Sequence, residues 1–474
     1  MSNTSLAGKR IDSLLDENSF VEIGANVTAR STDFNSEPKE CIADGVVTGY
    51  GLIDGRLVYV YSQDAAVLGG SVGEMHAKKI VNLYRLALKV GAPVIGLIDS
   101  AGLRLNESVD ALSAFGAIYR TQAKASGLIP QITAVFGNCG GGLALFPSMT
   151  DFTFMESKKG KLFVNSPNAI EGNYEEKLDT SACDFRSSEY GDVDIAASEE
   201  DIYESIRTLI TLLPENYEEG GAYDECTDDL NRLCDDIAAC IKDTSVALSR
   251  IADDQLFFEV KAEYARSMVT GFMKINGMTV GAVANRTEKY DDEGKACEKY
   301  APVLTPAGCA KAADFVRFCD AFGIPVITLT SVTGFESTMC SEKKIGDAAA
   351  KLAYAFASAT VPKINVITGN AYGSAYVIMN SKSLGADMTF AWDTARVGMM
   401  DADLAAKLLF EKEDNKDELT ASYKEMQTSV ESAARRGYID TVIKAEDTRK
   451  YIIGAMEMLY TKREERPDKK HGAI

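Results

Sequence analysis

Apolar and polar residues alternate from Gly45-Val-Val-Thr-Gly-Tyr-Gly51 to Leu57-Val-Tyr-Val-Tyr-Ser62, and Asp54-Gly55 lies between the two runs. Alternation interrupted by Asp-Gly predicts a β-hairpin. Ahead of it, residues 5–18 read as a short helix, followed by Phe20-Val-Glu-Ile and a polar, irregular stretch through Glu40. After a loop at Gln63–Gly73 the period becomes helical. Glu74–Val90 is an amphipathic helix with Ile80, Val81, Tyr84, Leu86 and Leu88 turned inward. A strand at 93–98 and a helix at 109–126 follow. Ile132–Phe136 is apolar or β-branched throughout, the composition of a strand covered on both faces. It runs into Gly140-Gly141-Gly142, and Leu143–Phe146 then starts a helix. Strands are predicted at Asp151-Phe-Thr-Phe and Lys161–Asn165. Residues 199–256 are acidic and predicted mostly helical, with a break at Pro214–Gly221. Strands alternating with helices make this an α/β chain.

The pattern occurs twice. Pro130-Gln-Ile-Thr-Ala-Val-Phe-Gly-Asn138 is echoed by Pro362-Lys-Ile-Asn-Val-Ile-Thr-Gly-Asn370, a shift of 362 − 130 = 232. Pro93-Val-Ile-Gly-Leu-Ile and Pro325-Val-Ile-Thr-Leu-Thr obey the same shift, 325 − 93 = 232. Upstream, Phe20-Val-Glu22 echoes Phe257-Phe-Glu259 (257 − 20 = 237), and Val47-Thr-Gly49 echoes Val269-Thr-Gly271 (269 − 47 = 222). Two unrelated α/β domains could share strand composition, but equal shifts across separate strands point to duplication. The expected domains are 1–225 and 226–474. In the second copy the hairpin (269–283) leads into an insertion, Arg286–Tyr300, then a helix Ala310–Phe322 and a strand 325–330.

A length of 474 residues suits two such domains. A net charge of −20 argues against a nucleic-acid partner. Apolar runs are far shorter than the ~20 residues of a membrane span, and no signal-peptide pattern opens the chain. A cytoplasmic, non-spanning protein is expected. Ten cysteines without a CxxC pair read as reduced thiols, several of them in the core, and no metal site is expected.

Several chemistries lack their residues. The two histidines are His76, on the helix Glu74–Val90, and His471, in a charged tail, which leaves little for a Ser-His-Asp triad. No G-x-G-x-x-G follows the first strand, and Gly69-Gly70-x-x-Gly73 has no following Gly-Lys-Ser/Thr. What remains is one glycine-rich strand-to-helix turn per copy. Backbone N–H groups at such turns can hold a developing oxyanion, worth about 2.7–4 kcal/mol per donor. The competing reading is that the glycines only permit close helix–strand packing.

Longer motifs resemble one family. They are Val58-Tyr-Val-Tyr-Ser-Gln-Asp through Gly69-Gly70 to Gly73-Glu74 with Lys79-Ile80, Asp99-Ser-Ala-Gly-x-Arg104-x-x-Glu107, Phe315–Phe322, Ala359–Lys363 through Ala371–Tyr376, Gly437-Tyr-Ile-Asp440 and Lys469-Lys-His-Gly472. Together they resemble the biotin-dependent acyl-CoA carboxyltransferases. Both the propionyl-CoA/acetyl-CoA carboxylase β-subunit type and the α subunit of sodium-pumping methylmalonyl-CoA/glutaconyl-CoA decarboxylases fit. The resemblance implies two tandem crotonase-type domains, with acyl-CoA bound in the first and biotin in the second. It implies an active site where the first domain of one subunit meets the second of another, in a homo-oligomer (dimer of trimers or dimer).

Carried over, Gly141 and Gly142 hold the thioester oxygen as it becomes an enolate, with Gly140, Ala101 and Gly102 on the substrate side. Gly373, Ser374 and Ala375 surround the biotin ureido oxygen, and Val377 lines the acyl pocket or packs beneath the helix. No side-chain base is implied: carboxybiotin releases CO2 and the biotin nitrogen takes the α-proton. The implied partners are a biotin carboxyl carrier protein and either biotin carboxylase or a membrane decarboxylase subunit. The chain lacks a zinc ribbon and a Met-Lys-Met biotinylation site, so biotin is expected on a separate protein. Ser374 stands where the family usually has Gly, the loop after Phe335 lacks the Arg-His of many relatives, and the 286–300 insertion is unusual. A biotin-free hydratase or thioesterase and a non-enzymatic scaffold are the rival readings.

Overall fold

The computed structural model describes residues 5–30, 41, 43–173, 177–219, 225–291 and 293–464. Most of the polar stretch before the first hairpin lies outside them. So do the boundary glycines Gly220 and Gly221, and the tail motif Lys469–Gly472 with His471.

In the first half, a two-residue strand β1 (Val21–Glu22) edges the predicted hairpin, β2 (Val46–Ile53) and β3 (Arg56–Gln63). Asp54 and Gly55 take φ of 49° and 80°, the left-handed pair that a two-residue hairpin turn requires. Gly49 of β2 leaves room for the crossing β1 segment: a Cβ on Gly49 would come within 2.3 Å of the Val21 carbonyl oxygen and 2.4 Å of the Phe20 ring. The sheet continues in parallel through β4 (Val94–Ser100), β5 (Gln131–Gly140) and β6 (Phe152–Glu156). β7 (Lys161–Phe163) pairs with the end of β5, and β8 (Ile195–Ala197) closes the far edge on β6.

The helix Glu74–Val90 has the predicted limits and ends at Gly91, whose left-handed φ of 74° terminates it. Its buried line is Ile80, Leu83, Tyr84 and Ala87, while Val81, Leu86 and Leu88 pack at the core's margin. The inward face is thus rotated from the predicted one. Burying each large side chain of this face contributes about 1.5–3 kcal/mol. Lys79 shares that face and is buried. Its ammonium donates to the carbonyls of Ala43 and Val46, which satisfies a cation inside the fold.

The second half repeats this order. β9 (Phe257–Val260), β10 (Met268–Ile275) and β11 (Met278–Asn285) are antiparallel. A separate hairpin, β12 (Glu288–Tyr290) and β13 (Ala296–Lys299), fills the segment read as an insertion. Then come β14 (Val303–Leu304), β15 (Val326–Val332), β16 (Gly334–Phe335), β17 (Lys363–Tyr372), β18 (Met388–Trp392), β19 (Arg396–Gly398) and β20 (Thr441–Ile443). The main sheet runs β20-β18-β17-β15-β11-β10-β9, with β19 on β17, as β7 lies on β5. Lys311 matches Lys79 (311 − 79 = 232) and donates to two carbonyls in the same manner.

The strand pairings carry the repeat in register. Val60 pairs with Ile95, and Ala282 with Ile327, so the shift is 282 − 60 = 222 before the crossover and 327 − 95 = 232 after it. The step falls across the β12–β13 segment. The bridge Val72–Leu103 reappears as Leu304–Phe335, and the pair Ser100–Cys139 as Val332–Ala371, all at 232.

Three predicted segments differ. β5 extends to Gly140, because Asn138–Gly140 pair with β7. The helix expected from Ala310 begins at Pro306, with Thr305 as its cap and proline at its first position. The 199–256 segment is helical at Glu199–Leu212, Ile237–Cys240 and Thr244–Ile251, and irregular between Leu212 and Ile237 in its described residues.

The chain divides into two compact units, Met1–Gly220 and Gly221–Ile474. Asn216 and Tyr217 bond to Gly91 and Leu128 of the first unit. Asp228 and Arg232 bond to Arg449, Arg250 and Ala252 of the second.

Candidate active site

Each unit ends its third parallel-region strand in the same turn. Gly141 and Gly373 both take left-handed φ, 63° and 60°. A Cβ on Gly141 would meet nothing within 4 Å, so dihedral freedom and not crowding calls for glycine there. In the first unit, Gly141–Ala144 forms a 3-10 turn that passes into the short helix Leu145–Ser148. In the second, Gly373–Ile378 is a single short helix. Neither is long enough for a large dipole, so any oxyanion binding rests on the N–H groups that open the turn, which have no acceptor within it.

Gly142 and Leu145 are exposed, and so are their counterparts Ser374 and Val377. Leu145 is 42% exposed and Val377 37%, so Val377 is not packed into the core. Leu143 and Phe146 face inward, as do Ala375 and Ile378. Each turn therefore presents one backbone position and one apolar side chain on its open face.

Around the first turn, Gly102 lies against Gly140: a Cβ on Gly102 would sit 3.3 Å from the Gly140 carbonyl oxygen. Gly140 is held by Phe163, whose ring would be 2.6 Å from an added Cβ. The Ala101 N–H donates to the Gly69 carbonyl at 2.8 Å, and the Gly102 N–H to Ser100 Oγ at 3.1 Å. Both amides are engaged, so Ala101 and Gly102 shape the site and the free donors belong to the turn. The Tyr119 hydroxyl donates to the Gly142 carbonyl at 2.6 Å, and its ring meets Phe146 edge-on. Burial raises the Tyr119 pKa, which keeps it a proton donor. It fixes the peptide that follows Gly142.

The loop opposite is anchored by a buried charge cluster. Arg104 contacts Asp44 at 2.5 Å and Glu107 at 2.9 Å, and also donates to Ser71. Glu107 in turn accepts from the Glu74 N–H at the start of the long helix. Burial raises the Asp44 pKa against the pull of Arg104. His76 donates its backbone N–H to Asp44, and its ring contacts the Asp44 carbonyl and Gln63. Burial and the nearby Arg104 push its pKa down to about 3.

At the second turn, a Cβ on Gly373 would lie 3.2 Å from the Met399 carbonyl oxygen. Burial pushes the nearby Tyr376 up to about 12. Glu336 and Lys351 stand at the positions of Arg104 and Tyr119 (336 − 104 = 351 − 119 = 232).

The carboxyl transferase domain matches residues 2–474. The chain belongs to the carboxyl transferase family. It is 40% identical over 480 residues to the methylmalonyl-CoA decarboxylase subunit alpha of Veillonella parvula, spanning 99% of this chain and 92% of that one. It is 39% identical to the propionyl-CoA carboxylase beta chain of Roseobacter denitrificans, spanning 99% and 93%. A transcarboxylase 12S crystal structure with methylmalonyl-coenzyme A and methylmalonic acid bound superposes with a TM-score of 0.90 at 36% identity, covering 98% of this chain and 92% of that one. Both units have the crotonase-like fold of that carboxyltransferase, and the chain is a biotin-dependent acyl-CoA carboxyltransferase.

Within this carboxyl transferase, the sequence-predicted residues gather at two places. Ala101, Gly102, Gly140, Gly141 and Gly142 meet at the first turn. Gly373, Ser374, Ala375 and Val377 form the second. Tyr119 and Leu145 were not foreseen. Tyr119 lies one helical turn after Phe115, and Leu145 is exposed by the same shift that relates it to Val377. No helix among the described residues is long and apolar enough to cross a membrane.

Proposed function

We propose that the protein moves a carboxyl group between biotin on a separate carrier protein and the α-carbon of a short-chain acyl-CoA, acetyl- or propionyl-CoA to malonyl- or methylmalonyl-CoA or the reverse. The observation that carries this is the matched pair of turns, each opening on glycine with φ near +60° and each with exposed backbone. Such chemistry has two carbonyl-type oxygens to stabilise. The N–H groups of Gly141 and Gly142 hold the thioester oxygen as charge develops on it, with Tyr119 fixing the peptide after Gly142. The turn Gly373–Ala375 receives the ureido oxygen. The donor at 374 is main-chain, so serine serves there as glycine would. Biotin supplies the carboxyl-bearing nitrogen. The chain supplies donors and orientation, since His76, the one histidine among the described residues, has both ring nitrogens engaged inside the fold.

The relatives at 40% and 39% identity are a decarboxylase subunit and a carboxylase subunit, so the direction of transfer is set by the partner. A biotin carboxyl carrier protein, with a biotin carboxylase or a membrane decarboxylase subunit, completes the system. We read the protein as a homo-oligomer with its active site shared between subunits. Exposed Leu105, Val109 and Leu112 in the first unit and Leu404, Leu408 and Leu409 in the second support an assembled state. A solved relative is described as a hexamer. A fully active monomer in sedimentation at assay concentration would overturn that part.

The deciding assay supplies free biotin with malonyl-CoA or methylmalonyl-CoA. Biotin-dependent decarboxylation is expected. A hydratase or thioesterase would instead act without biotin, and a scaffold would do nothing.

A further inference from the structure

The two units carry different cations where a short strand meets the turn. β7 pairs with the end of β5, and β19 with the end of β17, in the same register. Lys161 lies beside Asn138, and Arg396 beside Asn370. Each asparagine stands three residues ahead of the left-handed glycine of its turn. Lys161 is paired with Asp179 at 2.6 Å. Arg396 is half-buried, and its guanidinium has no hydrogen bond or ion pair among the described residues. Every other described arginine that is not exposed has a partner. A half-buried cation without an anion carries a desolvation cost, which a bound anion offsets.

The groups around Arg396 do not supply that anion. Asn370 and Tyr372 share one face of β17, and Arg396 shares it through the register. The Tyr372 hydroxyl donates to Asn370 Oδ1 at 3.2 Å, so the exposed Asn370 amide presents its NH2 as a donor. Burial raises the Tyr372 pKa, with Asp401 adding to the rise and Arg396 opposing it, so all three charges act at this end of β17. The Asp401 carboxylate is engaged as a helix cap, accepting from the N–H groups of Asp403 and Leu404 at 3.0 and 3.3 Å. Gln427 Oε1, on the helix that ends against Gly398, accepts from Arg436.

We propose that Arg396 binds the carboxylate carried on biotin while the turn Gly373–Ala375 holds the ureido oxygen, with the Asn370 amide as a further donor. This rests on the carboxyl-transfer reading. A cyclic urea with a carboxylate on its nitrogen sets anionic oxygens next to its carbonyl. Main-chain donors at a turn and a free guanidinium on the adjoining strand match that pair. A guanidinium can meet both carboxylate oxygens at once, which fixes the plane of the carboxyl group. The first unit has no equivalent, because Asp179 takes the charge of Lys161.

The test is a titration of the full-length protein by calorimetry. Biotin methyl ester is compared with its N1′-carboxymethyl derivative, a stable compound with a carboxylate tied to the ring nitrogen. The ester removes the side-chain charge, so the two ligands differ in the ring carboxylate alone. The derivative is expected to bind about ten-fold tighter than the parent ester. In Arg396→Gln that ratio should fall to about one with binding of the parent ester unchanged, and Arg396→Lys should restore part of it. Arg396 has no partner to lose, so the variant should fold. Turnover of malonyl-CoA with biotin methyl ester should also fall about ten-fold in Arg396→Gln. An unchanged ratio, an equal loss for both esters, or unchanged turnover overturns the proposal. So does a loss confined to free biotin, which would assign Arg396 to the side-chain carboxylate. Wild-type turnover with the ester keeps the carboxyl-transfer reading whatever Arg396 does. A wild type that neither binds the esters nor turns over with biotin overturns that reading and the proposal with it.

Discussion

The two turns are alike in backbone and unlike in surroundings. Both open at a left-handed glycine and both place an exposed apolar side chain, Leu145 or Val377, three residues after an exposed backbone position. Around the first stand Tyr119, Phe146 and a loop anchored by the buried Arg104. At the corresponding places of the second stand Lys351 and Glu336, and the extra β12–β13 hairpin lies just before the segment that matches the glycine loop. A main-chain donor needs only its dihedrals kept, so everything beside it was free to change. Duplication held the donor geometry and let the side chains around each turn diverge.

The largest expected difference between the halves is in stability. Arg104→Met leaves Asp44 and Glu107 buried without their cation, and should cost about 3–5 kcal/mol in denaturant unfolding. Glu336→Gln at the matched, half-buried position should stay within about 0.5 kcal/mol. Equal costs would break the contrast. Next come the donors. Gly142→Pro removes an N–H and should lower kcat by about 10²–10³-fold in a folded protein. Ser374→Pro should do the same at the second turn. If only one variant loses activity, the turns are not equivalent donors, and unchanged turnover of Gly142→Pro would make that glycine a packing residue.

A smaller effect separates the two apolar side chains. Val377→Asp should shift the ratio of kcat/KM for malonyl-CoA and methylmalonyl-CoA by about 1–3 kcal/mol, the range for one methylene in an apolar pocket. Leu145→Asp should lower both alike. A common factor for Val377→Asp would show that Val377 does not read the acyl chain.

The last effect vanishes at neutral pH. Folded His76 has its pKa pushed down to about 3 from an ordinary 6.5. Between these values the unfolded chain binds a proton that the folded chain refuses, so stability falls as pH falls through that window. His76→Gln should flatten the slope of unfolding free energy by up to ~1.4 kcal/mol per pH unit between roughly pH 4 and 6. Gly308 occupies the matched position in the second unit, so the change reports on the first alone. An unaltered slope would contradict the burial assigned to His76.

Local signals in the sequence were readable. Asp54-Gly55 marked a hairpin, and the recurring Gly-Asn pairs marked the turns, because such residues act through their own dihedrals or through a close neighbour. Gly137 and Gly369, for example, leave room for the side chains of Asp99 and Ser331, each of which would lie within 2.6 Å of an added Cβ. Contacts between distant residues were not readable. Arg104 finds Asp44 sixty residues away, and β5 reaches Gly140 only because β7 comes to pair with it. Thr305-Pro306 is a local helix-start signal, a capping hydroxyl followed by proline at the first helical position. In the acidic 199–256 segment the break at Pro214–Gly221 is legible, but the irregular run from Glu225 to Asp236 is not, since charge composition alone does not decide whether a helix closes its hydrogen bonds.

The constant shift between Val72 and Leu145, and again between Leu304 and Val377, has an evolutionary meaning. Upstream, the halves have gained or lost residues relative to each other, since the shift steps from 237 to 222 to 232. Loop length is thermodynamically cheap to change. Yet no net insertion or deletion survives in the block that leads from the glycine loop to the turn. That block includes the connections Gly91–Pro93, Ala101–Arg104 and Ser126–Pro130, where extra residues would ordinarily be absorbed. Selection there has acted on spacing more strictly than on residue identity, and in protein engineering the block is the poorest place to splice in a tag or a linker.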